Sequence, residues 1–342
     1  MCFMSTIIGQ DVQFSQFYSN PLYLNPALTG SHSGTYRVVA NYRDQWRSTL
    51  EQPFSTFSVT GDLKFNLPSK GGSYKQGNDK AAAGVQFFSD RVGLVEFNTN
   101  QLNFFGAYHK KVGRENQYLS AGVQFGIAQR GILYENLDFG DEFDGATEFR
   151  LPSGETLPSN SLAYNDMALG LHYSASPDVD RSFYLGVSMH HWNQPSIGLY
   201  ATDMRLTEFY DQEVLATKWS LHGGASFLLN NVTVLQPRGV FISQGTNSTF
   251  VLGSNVKYRF IDSNGVALHL GAWLRATDNL TTFQPTDVIL SAAYELNGLL
   301  VGLSYDATLR TFTGSTLGQG IIEFSVAYVG EHDNEYEICP QF

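Results

Sequence analysis

Charged side chains are scarce in this chain. Asp, Glu, Lys and Arg make up 15% of the 342 residues, whereas a soluble domain typically has about 25%. Something other than Lys and Glu must therefore cover much of the surface. The net charge is −11, which disfavours the basic stripe that nucleic-acid binding normally needs. We predict no nucleic-acid partner.

Long apolar runs and cysteines are also lacking. No run approaches about 18 consecutive apolar residues, which excludes a transmembrane helix but not a membrane β-barrel. The two cysteines are Cys2 and Cys339. Residues 1–9 resemble the end of a secretory signal peptide, with small Gly9 before a polar start, although they are short and have no basic region. A frayed terminus is the alternative interpretation.

Catalytic and metal-binding motifs are absent. The chain contains no G-x-S-x-G, H-E-x-x-H, G-x-x-x-x-G-K-[ST] or C-x-x-C motif. His190 and His191 are the only adjacent histidines, and in a strand their rings would point to opposite faces. The acidic stretch DFGDEFDG lacks the spacing of a calcium loop, so a solvated loop is expected there. We predict no enzyme activity, no cofactor and no metal site.

Period-two alternation of apolar and small polar residues fills the rest of the chain. Leu119, Ala121, Val123, Phe125 and Ile127, for example, alternate with Ser, Gly and Gln. Such alternation predicts β-strands. About fourteen segments are predicted, beginning near Thr35, Phe54, Ala81, Thr99, Gln117, Tyr164, Ser182, Lys218, Val232, Ser248, Val266, Val288, Leu299 and Gly320. Turn-forming residues separate them, which indicates an up-and-down antiparallel meander.

The composition of the polar face distinguishes a membrane barrel from a soluble β-sandwich. A water-facing sheet usually carries Lys, Glu and Thr, whereas this face is mainly Ser, Gly, Ala, Asn and Gln. Small polar residues suit a crowded lumen, and rows such as Phe250, Leu252, Val256, Tyr258 and Phe260 suit contact with lipid. We predict an all-β transmembrane barrel of about 14 strands in the outer membrane, in contact with its lipid.

The domain organisation follows from where alternation begins and ends. Residues 10–34 precede it, residues 35–330 form the barrel, and residues 331–342 form a polar tail. The connections 131–163 and 193–217 are much longer than the turns around them. Outer-membrane barrels carry their longer loops outside the cell, so both termini of the barrel, and the tail, are expected on the periplasmic side.

Three motifs resemble those of one protein family. The first comprises Gln13 to Tyr18 (QFSQFY), Pro21 to Ala27 (PLYLNPA) and Gly30. The second is Asn41 to Trp46 (NYRDQW), with Asp44 where the family usually has Asn, and the third is Ile338 to Phe342 (ICPQF), with Gln341 where Arg is usual. Together they resemble the PorP/SprF family of type IX secretion proteins.

The resemblance implies an outer-membrane barrel of the type IX secretion and gliding-motility machinery. It implies a role in secretion or surface attachment of a large adhesin, with that adhesin and periplasmic secretion components as partners. The alternative from another class is a passive channel or a transporter of hydrophobic solutes, because many barrels of this size conduct.

The N-terminal segment contains aromatic residues interrupted by Asn-Pro pairs, so neither a long helix nor a strand fits it. We expect it to fold back as a plug or rim of the barrel. Its candidate residues are Gln13, Phe14, Phe17, Tyr18, Pro21, Leu22, Tyr23, Asn25 and Pro26. Whether it only closes the barrel or also gates it and docks a partner is left open by the residues.

Two further sets of residues are candidates for binding. Arg37, Asn41 and Arg43 share one face of the first strand and could clamp the segment through its carbonyls, or pair with an inward carboxylate such as Asp62. Direct contact with a partner is the alternative. Cys339 and Pro340 in the tail are candidates for docking a periplasmic partner.

Overall fold

The computed structural model describes residues 11–47, 50–67, 79–93, 97–113, 116–134, 139–146, 154, 157, 159–199, 213–261, 265–278, 282–309 and 320–331. Within these residues fourteen antiparallel strands form one closed barrel, in which each strand pairs with its neighbours in the chain and β1 pairs with β14. The strands are β1 Tyr36–Gln45, β2 Phe54–Asn66, β3 Lys80–Val92, β4 Phe97–Lys111, β5 Asn116–Gly131, β6 Ser161–Ser176, β7 Arg181–His190, β8 Lys218–Leu228, β9 Thr233–Gln244, β10 Asn247–Arg259, β11 Val266–Asp278, β12 Phe283–Leu296, β13 Leu299–Thr308 and β14 Ile321–Gly330.

The two faces of the barrel wall have opposite chemistry. On β10, Phe250, Leu252 and Val256 are exposed on the outside, whereas Thr249 and Asn255 are buried on the inside. The same alternation exposes large apolar residues on the outside of every strand except β9, where Leu235 and Phe241 are half-buried. Because an outward apolar surface of this extent suits hydrocarbon and not water, the predicted transmembrane barrel is confirmed.

Strand positions agree with the alternation except on β12. That strand begins at Phe283, five residues before the predicted Val288. Pro285 lies at a register shift, where Arg275 pairs with Asp287 and Ala276 pairs with Pro285. A proline cannot donate to the ladder, so a bulge at this point lets the strand continue through a sequence that lacks the usual pattern. Among the described residues, no helix is long and apolar enough to cross a membrane.

The two ends of the barrel differ in their connections. The end from which β1 starts and at which β14 finishes, here called the terminus end, has short turns such as those after Lys111, Ser176 and Leu296. The opposite end, here called the loop end, carries the long connections after β5 and β7. The position of the segment that precedes β1 is given below relative to these two ends.

Candidate functional site: the N-terminal segment inside the barrel

Residues 11–34, here called the N-terminal segment, lie inside the ring of strands and run along the lumen. At the loop end the Asp11 carboxylate contacts Lys218 at the start of β8, at 2.5 Å. At the other extreme the backbone N–H of Gly30 donates to Asp62 of β2 at 2.6 Å, and the chain then enters β1. The segment therefore extends from one end of the lumen towards the other.

The Asn-Pro pairs determine how the segment folds. Residues Phe17–Ser19, Pro21–Leu24 and Pro26–Leu28 form three single helical turns. Each proline opens a turn, where its missing N–H is not needed, and the Asn25 side chain accepts a hydrogen bond from the N–H of Ala27 at 2.8 Å. A chain broken into single turns can follow the curved inner wall where a straight helix could not.

Glu323 of β14 binds the segment through its backbone. Its two carboxylate oxygens accept hydrogen bonds from the N–H groups of Ser15 and Gln16, at 2.7 and 2.9 Å. The Ser15 hydroxyl donates to Asp306 at 2.5 Å and accepts from Arg275 at 2.6 Å. These groups are buried, so any displacement of the segment would take hydrogen bonds away from buried charged groups, although Glu323 would keep its ion pair with Arg43 and Asp306 its ion pair with Arg275.

An apolar patch lines the lumen next to this polar network. Inward-facing Val240, Val251, Trp273 and Ile289, from four adjacent strands, pack with Phe17 and Leu24 of the segment. The Phe17 ring meets the Trp273 indole edge-on at 5.6 Å, and Tyr18 stacks on that indole at 5.2 Å. The sequence led us to expect a lumen that is polar throughout, and this apolar patch is an exception. Contact with the segment explains the difference.

Three inward glycines provide a flat surface for residues Asn25 to Ala27. They are Gly122 of β5, Gly170 of β6 and Gly186 of β7. A Cβ at Gly122 would overlap the backbone of Pro26 and Ala27, and a Cβ at Gly170 would overlap the Asn25 amide. The side-chain Nδ2 of Asn25 donates to the carbonyls of Leu171 and Val187, at 3.0 and 3.2 Å. Backbone thus packs directly on backbone here.

The inward face of β1 contacts the segment at three levels. Arg37 donates to Asp62 and to the Leu28 carbonyl, Asn41 donates to the Ser19 hydroxyl at 2.8 Å, and Arg43 donates to the Gln13 carbonyl. Arg43 also pairs with Glu323 at 3.2 Å. The four residues predicted as a clamp therefore all lie against the segment or against each other.

A buried ion network holds the segment at the loop end. His191 lies between the carboxylates of Asp11 and Asp166, at 2.7 and 2.8 Å. Burial opposes the charged form of His191, but the two carboxylates outweigh it and raise its pKa to about 9. Burial likewise opposes ionisation of Asp11, yet His191 and Lys218 bring its pKa well below the usual value.

The prediction that His190 and His191 face opposite sides was wrong. Strand β7 ends at His190, and His191 has a φ of 56°, so the chain turns there and both rings are buried inside. Their centroids are 6.2 Å apart. Among the described residues no group of three or more His, Cys, Asp or Glu is placed to hold a metal ion.

The connection after β7 covers part of the loop end. Ile197 and Leu215 from this connection pack on Ala128 and Tyr164 of the wall. Beneath it, the cavities against the N-terminal segment near Asp11 and Phe14 measure about 50 and 30 Å³. Each has room for little more than one or two water molecules.

The sequence-predicted residues lie in one place with two exceptions. Phe14, Phe17, Leu22, Asn25 and Pro26 are buried against the wall or the rest of the segment, and Gln13, Tyr18, Pro21 and Tyr23 are half-buried. Cys339 and Pro340 lie outside the described residues. Residues that the sequence reasoning missed include Asp11, Asp306, Lys218 and the three glycines. No local pattern distinguishes these from other inward residues.

The architecture defines the class of protein: an outer-membrane β-barrel whose lumen holds its own N-terminal segment. The family described as Type IX secretion system membrane protein PorP/SprF matches residues 7–328. The chain therefore belongs to this family, and it is an outer-membrane barrel of the secretion machinery. Both the family and the fold are of a non-enzymatic kind. The family also implies membrane-associated secretion partners.

Solved structures with a similar fold are distant in sequence. A TodX deltaS2S3 mutant monoaromatic hydrocarbon channel has a TM-score of 0.51 at 11% identity, with 90% of this chain and 93% of that chain covered. The CymD monoaromatic hydrocarbon channel has a TM-score of 0.50 at 9% identity, covering 92% and 93%. A Pseudomonas aeruginosa FadL homologue has 0.49 at 12% identity, covering 91% and 94%. No curated protein matches in sequence.

Proposed function

We propose that this barrel helps the type IX secretion machinery to export or hold a large surface adhesin, with the N-terminal segment acting as a plug. The observation that carries the proposal is the set of buried bonds between that segment and the wall, from Asp11–Lys218 at the loop end to Gly30–Asp62 on β2. A lumen filled in this way favours a scaffold or holder over a freely conducting pore.

The two ends of the barrel supply two surfaces for this role. In the proposed orientation, the loop end faces outside the cell and presents the adhesin-binding loops. The terminus end faces the periplasm, where Cys339 and Pro340 are candidates for contact with periplasmic components of the secretion and gliding machinery. The adhesin and these components are the partners that we propose.

The alternative is a passive channel or a transporter of hydrophobic solutes. The distant structural neighbours include channels for monoaromatic hydrocarbons, and the apolar patch around Phe17 and Trp273 offers a surface for such a solute. The adjacent cavity of about 30 Å³ is too small for one, so transport would require the segment to move.

A deletion strain separates the two functions. We expect removal of the protein to abolish surface display of the adhesin while uptake of hydrophobic solutes is unchanged. Adhesin is measured by antibody labelling of intact cells, and uptake by accumulation of a labelled aromatic compound. A strain carrying the protein on a plasmid is the control. Normal adhesin display combined with lost uptake would favour the transporter.

A further inference from the structure

A groove runs across the outer face of the barrel over strands β4 to β8, with a volume of about 640 Å³. The residues between its two sides, such as Gly122 and Gly170, form the floor with their backbone. None of its described lining residues is charged. Its sides are two rows of outward residues, each in register across the strands: Tyr108, Ala121, Leu171 and Val187 in one row, and Gly106, Val123, Leu169, Met189 and Trp219 in the other.

Gly106 and Ala121 open the groove, because they are the smallest residues of the two rows. The flanking outward residues Phe104, Leu119 and Val123 are large and exposed. A Cβ at Gly106 would have one atom from beyond its chain neighbours within 4 Å, a methyl carbon of Val123 at 3.8 Å. The space outside Gly106 is therefore open to the membrane.

The dimensions of the groove fit a lipid tail and are too narrow for a helix. Its two rows lie two residues apart along each strand, which is about 7 Å, whereas an α-helix with its side chains is about 10–12 Å wide. The groove crosses five strands about 4.8 Å apart, so it is about 19 Å long. One lipid tail covers about half of a hydrocarbon core about 30 Å thick, so the groove can hold its whole length.

Shape decides whether such a tail is held. The lipid around a barrel is as apolar as the barrel's outer face, so only closer packing favours one position of a tail over another. A tail in the groove contacts a floor and two sides, whereas a tail on the convex wall contacts the protein on one side only. The additional dispersion contacts favour the tail in the groove.

A charged pair lies beside the groove towards the terminus end. Lys110, the next outward residue after Tyr108 on β4, pairs with Asp79 at 3.0 Å, and the Tyr108 hydroxyl donates to the same carboxylate at 2.6 Å. The pair has one positive and one negative charge. A zwitterionic headgroup, with one phosphate and one ammonium group, complements such a pair, whereas the phosphates of lipid A would need a surplus of basic groups.

We propose that the groove binds one acyl chain of a zwitterionic phospholipid. The headgroup lies at Lys110 and Asp79, and the tail runs along the groove towards Trp219. This inference depends on the membrane location of the barrel and not on the proposed role in adhesin export.

Photo-cross-linking tests the inference. The full chain is reconstituted in vesicles of phosphatidylethanolamine, a small fraction of which carries a diazirine in the middle of one tail, and the labelled peptides are mapped by mass spectrometry. Strand β12, whose Leu290 is exposed on the outer face, is the reference for lipid outside the groove. We expect labelling of β4 to β7 to exceed that of β12 about tenfold, which corresponds to about 1.4 kcal/mol.

Glycine variants test the role of the groove's shape. Gly106→Leu fills the open part of the groove and should reduce labelling of β4 to β7 to the level of β12. Gly61→Leu is the matched control, because Gly61 is a glycine of β2 that pairs with exposed Val38 and has nothing within 4 Å of a Cβ. This control should label like the parent protein. Heat-modifiable migration, measured on every variant, confirms that the barrel is folded.

Four results would overturn the inference. The first is even labelling of all the strands, which would mean that lipid covers the barrel without a fixed site. The second is unchanged labelling in folded Gly106→Leu, and the third is an equal loss in Gly106→Leu and Gly61→Leu. The fourth is stronger labelling of the groove by photoreactive lipid A or phosphatidylglycerol than by phosphatidylethanolamine. Adhesin display is not measured here, so failure of this test leaves the proposed function intact.

Discussion

Arg37 of β1 binds Asp62 of β2 through two parallel hydrogen bonds, from Nε at 2.9 Å and from Nη2 at 2.7 Å. The same Nη2 donates to the carbonyl of Leu28, and Asp62 accepts from the N–H of Gly30. One ion pair of the wall therefore also holds the N-terminal segment, because Arg37 and Asp62 each form a further hydrogen bond with the backbone of that segment.

Arg37→Met is expected to destabilise the barrel by about 3–5 kcal/mol, because it leaves the Asp62 carboxylate buried without its counter-ion. Arg37→Met combined with Asp62→Leu should recover part of this loss. Lys110→Gln, which breaks the exposed pair with Asp79, should change stability by less than about 1 kcal/mol. Urea unfolding in detergent measures all three. Equal stability of Arg37→Met and the parent protein would contradict the clamp.

Gly122→Ala is expected to displace residues 25–27, because the added methyl group would occupy the space of the Pro26 and Ala27 backbone. Overpacking of this kind typically costs about 1–3 kcal/mol. Proteolysis of the segment should become faster while the barrel stays folded. Gly61→Ala is the control, since nothing lies within 4 Å of a Cβ there. Equal protection in both variants would show that the close approach at Gly122 is not needed.

His191 is expected to make anchoring of the segment depend on pH. Although burial opposes it, the interaction with Asp11 and Asp166 raises its pKa to about 9, above the usual value of about 6.5. Charged His191 therefore stabilises the folded protein fully below about pH 6.5, and this contribution is lost as the pH rises through about 9. The protection factors of residues 11–24 in hydrogen exchange, which are corrected for the base-catalysed exchange of free amides, should fall over that range.

The variant His191→Gln should remove this pH dependence. Lys218 and His190 also face the network, so a dependence that persists in His191→Gln would assign it to one of them. Protection factors that do not change with pH in the parent protein would contradict the role of charged His191.

Replacing residues 13–30 by a Gly/Ser linker of equal length is expected to increase conductance in planar bilayers. The linker has no rings to stack on Trp273 and no Asn-Pro turns to hold its backbone against Glu323 and Gly122, so it should leave the lumen open to ions. The linker variant should also unfold at lower denaturant concentration, because it loses the buried aromatic contacts. Unchanged conductance and unchanged stability would contradict the proposal that the segment acts as a plug.

Period-two alternation made the strands predictable because it is local. Whether a residue such as Leu119 or Ser120 faces out or in depends only on its place in the pleat, and the side chain's polarity reports that place. The departures have physical causes that alternation does not contain. The bulge at Pro285 interrupts the alternation at the start of β12. The turn at His191 lies just beyond the end of a strand, where alternation no longer applies.

The candidate site was predictable as a set of residues but not as a set of contacts. The Asn-Pro pairs and aromatic residues of the segment are visible in the sequence, as are the basic residues of β1. Nothing local indicates that Ser15 meets Glu323, which is 308 positions away, or that Val240 and Ile289 would be apolar inside a polar lumen. The partner of each inward residue depends on the path of the segment across it.

The sequence by itself determined an inside-out sheet of about fourteen strands, because side-chain polarity alternates with the pleat along every strand. Only the tertiary structure decided what fills the ring. Closure of β1 on β14 sets which inward residues meet across the lumen. The glycines of β5 to β7, the carboxylates of β13 and β14 and the histidine beyond β7 become one binding surface only when that closure brings them around the N-terminal segment.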